Sequence, residues 1–336
     1  MSGANGTALL EVENLEVRYP VPRGLSGAVL RQPHSFVHAV SGVSFTVRRG
    51  EMVALVGESG CGKTTTAHAI LRLVEPDAGA VLFDGIDVTT LPHRELRRLR
   101  RRMQIIYQDP YESLDPRFRV EATVAEPLTV HRIGTRHERH NAVERALEQV
   151  GLSPPGLFSE RFPHELSGGQ RQRVAIAASL VLEPDLLVAD EPVSMLDVSV
   201  RAGILAILDE LRDRGLAVLM ITHDLSTAAR FADRICVMYL GRIVEEGPAL
   251  EVIGNPQHSY TKALLSVVPR RDPRQRVTAQ ILRGETPNPI VIPSGCRFHP
   301  RCPIAIDECL ISDPDLRGPA GASSAPHRAA CLLAGR

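Results

Sequence analysis

Lysine is nearly missing from this 336-residue chain: Lys63 and Lys262 are the only two, and arginine supplies the rest of its 39 basic residues. Such usage fits codon bias in a GC-rich genome, and it makes Lys63 hard to treat as incidental. Net charge is also missing, because 39 acidic residues balance the basic ones. A general attraction to nucleic acid is therefore not expected. No apolar run approaches the ~20 residues that cross a bilayer. The first seven residues lack the basic and apolar segments of a signal peptide, so the chain is expected to stay in the cytoplasm. Repeats at solenoid spacing and long low-complexity runs are lacking too.

What is present is concentrated in short runs. Met52 to Val56 is apolar and reads as a buried strand, and Thr64 to Leu73 reads as a helix. Between them lies Gly57 Glu58 Ser59 Gly60 Cys61 Gly62 Lys63 Thr64, with Thr65 beside it. A glycine-rich loop turning a strand into a helix points backbone N–H groups at phosphates. Lys63 can reach the terminal phosphates, and the Thr64 hydroxyl can ligate magnesium. A second buried strand, Leu186 to Ala189, ends in Asp190 and Glu191. Asp190 is placed to hold magnesium and Glu191 to polarise a water, although paired acids can also simply cap the helix that Pro192, Ser194 and Asp197 announce.

The order of motifs resembles the ATP-binding cassette ATPases over nearly the whole chain. The phosphate loop is followed by Gln108 after the strand Ile105 to Tyr107, then Leu166 Ser167 Gly168 Gly169 Gln170, the two acids, Ser194 Met195 Leu196 Asp197, and His223 after Ala217 to Ile221. The run at 166–170 is specific to cassettes, whereas a phosphate loop alone leaves kinases, GTPases and helicases open. Met195 and Ala178 depart from the family pattern, where a small residue and arginine are common. The resemblance implies that two cassettes close head to tail, with each ATP between Lys63 of one subunit and Ser167, Gly168 and Gly169 of the other. It further implies Glu191 as general base, His223 on the γ-phosphate, Gln108 on magnesium or water, and Tyr19 stacked on adenine. Ser59, Gly60, Cys61, Gly62, Gln170 and Asp197 complete the nucleotide site.

The tail narrows the resemblance. Four of the six cysteines, Cys296, Cys302, Cys309 and Cys331, fall in the last segment. Clustered thiols in a cytosolic chain favour metal binding over disulfides. Their spacing lacks the paired C-x-x-C of a zinc finger, but thiolates spread this way can converge on an iron–sulfur cluster. Gly295 to Pro303 looks like the C-terminal extension of oligopeptide and dipeptide importer ATPases, as does Gln108 Asp109 Pro110 Tyr111 Glu112 Ser113 Leu114 Asp115 Pro116, which is most similar to the second ATPase of the pair. Some of those proteins carry a four-iron, four-sulfur cluster on these cysteines; zinc and free thiols are the alternatives here. Cys61 and Cys236 read as packing residues.

The family implies ATP and magnesium as cofactors. Its implied partners are a second ATPase (a heterodimer rather than a homodimer), two transmembrane permeases and an extracytoplasmic solute-binding protein, with no nucleic acid. The place of work would be the cytoplasmic face of the membrane. Nickel or another small solute is an alternative cargo, and a soluble cassette protein acting on nucleic acid or ribosomes, or an export ATPase, is a different class altogether.

The fold class expected is α/β: a phosphate-loop NTPase cassette with a RecA-like parallel sheet, an N-terminal antiparallel β subdomain and a helical insert. The nucleotide-binding domain is expected over residues 1–265, with the insert at about 110–166 and a Cys-rich extension over 266–336. Within the insert, Val143, Ala146, Leu147 and Val150 have helical spacing. His131, His137 and His140 nearby read as a solvated face, and Tyr19 to His38 as a loop. Glu191→Gln should bind ATP but hydrolyse it at least ~100-fold more slowly. Phosphate release measured beside ATP binding checks this, and near-normal turnover would remove Glu191 as the base.

Overall fold

The computed structural model describes residues 7–22, 35–109, 113–267, 284–318 and 326–334. Its first strands are β1 (Leu10–Pro20), β2 (Phe36–Val47) and β3 (Met52–Val56), followed by helix α1 (Lys63–Ile70) and strands β4 (Ala78–Phe83), β5 (Ile86–Asp87) and β6 (Met103–Ile106). Helices α2 (Val120–Val130), α3 (Arg136–Gln149) and α4 (Gly168–Leu180) precede β7 (Leu186–Asp190), α5 (Val198–Asp213) and β8 (Ala217–Thr222). The chain continues through β9 (Arg234–Tyr239), β10 (Arg242–Pro248), α6 (Ser259–Ser266) and β11 (Arg328–Ala329). Residues 23–34 of the loop expected between Tyr19 and His38 lie outside the described residues.

The chain divides into two compact units. One comprises Val47–Met52 and Leu91–Ile221, with Met1–Ala8. In it β6, β7 and β8 pair in parallel, Met103 opposite Leu186 and Leu186 opposite Ala217. Every residue of β7 and of β8 is buried. Continuous apolar runs of this kind are what a strand covered on both faces requires. Helix α3 starts at Arg136, ahead of the apolar positions that begin at Val143, because Thr135 and Glu138 form a reciprocal cap. The Thr135 hydroxyl accepts from the Glu138 N–H at 3.3 Å and the Glu138 carboxylate from the Thr135 N–H at 2.6 Å. Val143, Ala146 and Leu147 form its buried stripe.

The other unit comprises Leu9–Thr46, Val53–Thr90 and Thr222–Arg336. It holds an antiparallel sheet in the order β2-β1-β4-β5, and a second set of strands in the order β11-β10-β9-β3. β3 and β9 are parallel, but β10 and β11 are antiparallel additions. The sheet is therefore mixed, where a parallel one was expected. The reason is local: Leu240 and Gly241 both take positive φ, which folds β9 directly back into β10 as a hairpin.

β10 carries Glu245 and Glu246, 0% and 3% exposed. The tail of the chain satisfies both. Glu245 faces His327 Nε2 at 2.7 Å and accepts from the backbone N–H groups of Gln257 and His258 at 2.7 and 2.9 Å. Glu246 accepts from Arg328 Nε at 2.9 Å. Phe298 meanwhile packs at 5.2–5.5 Å from the rings of Tyr239, Tyr260 and His258. Buried carboxylates need such partners, and losing one leaves an uncompensated charge.

His258 is enclosed beneath this tail. Burial, with Lys262 adding repulsion, pushes its imidazole down to about 4. The neutral ring accepts from the Tyr260 N–H at 3.1 Å through Nδ1. Because the folded value lies below the ordinary one near 6.5, the unfolded chain takes up the proton first as pH falls. His258 is thus expected to cost the fold nothing above pH 6.5 and about 3 kcal/mol by pH 4. Denaturation of the wild type and His258→Gln at several pH values checks this: the variant should lose less stability across that window.

Candidate functional site

The phosphate loop leaves β3 at Val56 and enters α1 at Lys63. Gly62 has φ of 109°, and a Cβ there would lie 2.1 Å from the Ala39 carbonyl oxygen, so only glycine fits. α1 consequently begins without a side-chain cap, and its first N–H groups are available to an anion. Lys63 is 5% exposed and folds back over the loop, Nζ donating to the carbonyls of Gly57 at 2.8 Å and Glu58 at 3.0 Å. Ser59, Gly60 and Thr64 are exposed, and Thr65 half-buried. Cys61 is buried, which pushes its thiol up. Tyr19, 38% exposed near the end of β1, and His223, exposed just after β8, belong to the same unit.

The tail reaches this loop. The Glu58 N–H donates to the Tyr260 hydroxyl at 2.9 Å, and its carboxylate accepts from Thr286 Oγ1 at 2.8 Å and Arg301 Nη1 at 2.9 Å. Arg301 is 9% exposed. Neither Glu58 nor Arg301 stood out as a partner in the sequence, since they are 243 positions apart. The available signal was a charged residue inside the glycine-rich loop.

The other unit carries the remaining candidates. Asp190 closes β7 and is 4% exposed. Glu191 follows at φ of 45°, in the left-handed region that costs a non-glycine residue on the order of 1 kcal/mol or more. Its backbone is pinned there: the N–H donates to the Ile221 carbonyl at 3.0 Å, and its carbonyl accepts from Ser194 N and Oγ at 3.2 and 3.1 Å. Gln108 Nε2 donates to Glu191 Oε2 at 3.2 Å, so these two candidates do come together. Ser167 is the N-cap of α4, accepting from the Gln170 N–H at 3.3 Å while Gln170 Oε1 accepts from the Ser167 N–H at 2.9 Å. Gly168 and Gly169 form the first turn of α4 behind that cap. Asp197 is the exposed N-cap of α5 and makes no side-chain cap bond.

Cys296, Cys302, Cys309 and Cys331 all line one pocket, walled also by Phe298, Ile304 and Leu332. Turns set them in place: the Cys296 N–H donates to the Cys309 carbonyl at 2.9 Å, and the Cys302 N–H to His299 at 3.2 Å. Burial pushes the Cys296 thiol up to about 11, with the other three thiols adding to the effect, and burial raises Cys331 as well. Among the described residues, no group of three or more His, Cys, Asp or Glu is arranged to hold a single metal ion. In the helical insert, His140 Nδ1 lies 2.8 Å from Glu121. Cys236 is buried in β9. No described helix is long and apolar enough to cross a membrane.

A family model described as ABC transporter matches residues 40–194, and one described as the C-terminal region of oligopeptide/dipeptide transporters matches residues 244–309. The chain is 52% identical over 276 residues to a putative peptide import ATP-binding protein of Brucella ovis, covering 82% of this chain and 86% of that one. It is 42% identical over 338 residues to the oligopeptide transport ATP-binding protein AppF of Bacillus subtilis, covering 99% of both. Among solved structures, a dimeric ATP-binding cassette, MJ0796, in a post-hydrolysis state bound to ADP and Pi aligns with a TM-score of 0.62 at 29% identity, over 71% of this chain and 98% of that one. Relatedness of this extent, continuous through cassette and tail, makes the chain a member of the ATP-binding cassette transporter ATPases, in the oligopeptide and dipeptide import family.

Proposed function

We propose that this ATPase drives import of di- and oligopeptides from the cytoplasmic face of a membrane. The observation that carries the reading is the tail: similarity to peptide-import proteins continues past the cassette through the cysteine-bearing extension. In this reading residues 1–265 form the nucleotide-binding domain, with a helical insert over about 110–166, and residues 266–336 form the extension. The chain works with a second ATPase, two permeases and an extracytoplasmic binding protein.

The chemistry follows from the residues. The loop amides from Ser59 to Thr65 and the Lys63 ammonium hold the phosphates, which requires Lys63 to exchange its two carbonyl acceptors for phosphate oxygens. Thr64, Asp190 and Gln108 hold magnesium. Glu191 takes the proton of the attacking water, and its hydrogen bond with Gln108 supports their sharing one reaction centre. His223 contacts the γ-phosphate, Tyr19 stacks on adenine, and Asp197 belongs to the nucleotide site. Ser167, Gly168, Gly169 and Gln170 of the opposing ATPase complete the pocket with the N-terminus of α4. The capping box leaves that helix end preformed before nucleotide arrives.

The four cysteines are proposed to hold a four-iron, four-sulfur cluster. Their convergence on one pocket supports a group with four thiolate ligands. When bound, the cluster would cross-link four tail positions and supply a one-electron couple.

Two measurements test this function. Anaerobic purification should yield a brown protein with about four iron and four sulfide per chain; a colourless protein holding one zinc would overturn the cluster. Tagged Glu191→Gln, captured with ATP from detergent-solubilised membranes, should bring down two permeases, another cassette and a peptide-binding protein. Recovery of ribosomal or DNA-associated proteins alone would end the transport reading, and a binding protein specific for nickel would change the cargo.

A further inference from the structure

The contact between Arg301 and Glu58 joins two parts of the molecule that the proposed function treats separately. Glu58 is the second residue of the phosphate loop, and its carboxylate is fixed charge beside a cradle meant for a triphosphate. Unit charges of like sign a few ångströms apart repel, and more strongly where water is excluded. The structure holds that carboxylate on Arg301 and Thr286. The Glu58 carbonyl also receives Lys63 Nζ, and its N–H donates to Tyr260. Any displacement of Glu58 therefore disturbs the resting place of the phosphate-binding lysine.

Arg301 does not line the cysteine pocket, but it ends the short 3-10 turn, His299–Arg301, between two of the residues that do, Cys296 and Cys302. His299 N–H donates to the Cys296 carbonyl at 2.9 Å, and Cys302 N–H to the His299 carbonyl at 3.2 Å. Where the Cys296 and Cys302 sulfurs are anchored thus fixes where Arg301 stands. A second path runs through Phe298, packed at 5.5 Å on Tyr260, whose hydroxyl accepts from Glu58.

We propose that Arg301 couples the cysteine pocket to nucleotide affinity: a filled pocket holds its guanidinium on Glu58, and this keeps the Glu58 carboxylate off the phosphates bound in the loop. Arg301 is then a positioning residue for ATP. The filled pocket is the cluster reading given above, on which this inference rests; the charge clamp itself needs only the phosphate loop.

The test measures ATP dissociation constants on the full chain carrying Glu191→Gln to stop turnover, with iron quantified in every sample. Arg301→Gln should weaken ATP binding about tenfold, the scale of losing one charge-assisted hydrogen bond. Adding Glu58→Gln should restore binding to within about threefold, because the unneutralised carboxylate is gone. An arginine that merely docks the tail would give no such rescue, so a double variant as weak as Arg301→Gln overturns the clamp, as does an Arg301→Gln protein that binds normally. Chelating the iron should weaken binding in the otherwise wild-type chain and leave the double variant unchanged. Equal affinity with and without iron overturns the coupling. Anaerobic protein that never holds iron, with charge repair intact, would sink the cluster reading and the coupling while leaving Arg301 as the clamp.

Discussion

A phosphate loop has to keep its backbone N–H groups uncommitted, and uncommitted amides cannot hold their own shape. The loop from Gly57 to Thr64 is instead held from outside. The Ala39 carbonyl presses where a Gly62 side chain would stand, Tyr260 accepts the Glu58 N–H, and Arg301 and Thr286 fix its carboxylate. Lys63 ties two loop carbonyls, those of Gly57 and Glu58, to the start of α1. Rigidity imposed by neighbours lets the cradle pay its ordering cost before nucleotide binds. Those neighbours come largely from the far end of the chain.

The tail is attached by charge as well as by aromatic packing. Glu245 and Glu246 lie in the interior of β10, and His327 and Arg328 meet them as β11 joins the sheet. A buried carboxylate without those partners would destabilise the fold by several kcal/mol. The aromatic group of Tyr239, Tyr260 and Phe298 adds packing between the same segments. The extension that carries the cysteines is thus an integral part of the unit that carries the phosphate loop.

In the other unit, strain is placed where chemistry is proposed. Glu191 occupies a left-handed conformation although it is not glycine, and hydrogen bonds to Ile221 and Ser194 hold it there. Backbone held in an unfavourable region is expected only where the surroundings over-determine it. The result points the Glu191 side chain so that Gln108 can donate to it.

Much of this was legible in the residues themselves. Five apolar residues before Gly57, and four at the start of β7, read as buried strands, and the glycines between strand and helix announce an anion cradle. Thr135 and Glu138, or Ser167 and Gln170, declare helix starts because a cap is made within four residues. The hairpin at Leu240 was hidden, since leucine gives no sign of positive φ. Two adjacent glutamates likewise give no sign of being the buried seat of a tail more than 80 positions away. Local chemistry thus determined the motifs and the identity of the elements that bear them. Which distant charges neutralise one another, Arg301 with Glu58 and His327 with Glu245, was decided by tertiary structure alone, because a pairing across such separations depends on how the strands bring the chain back and leaves no period or spacing in the sequence.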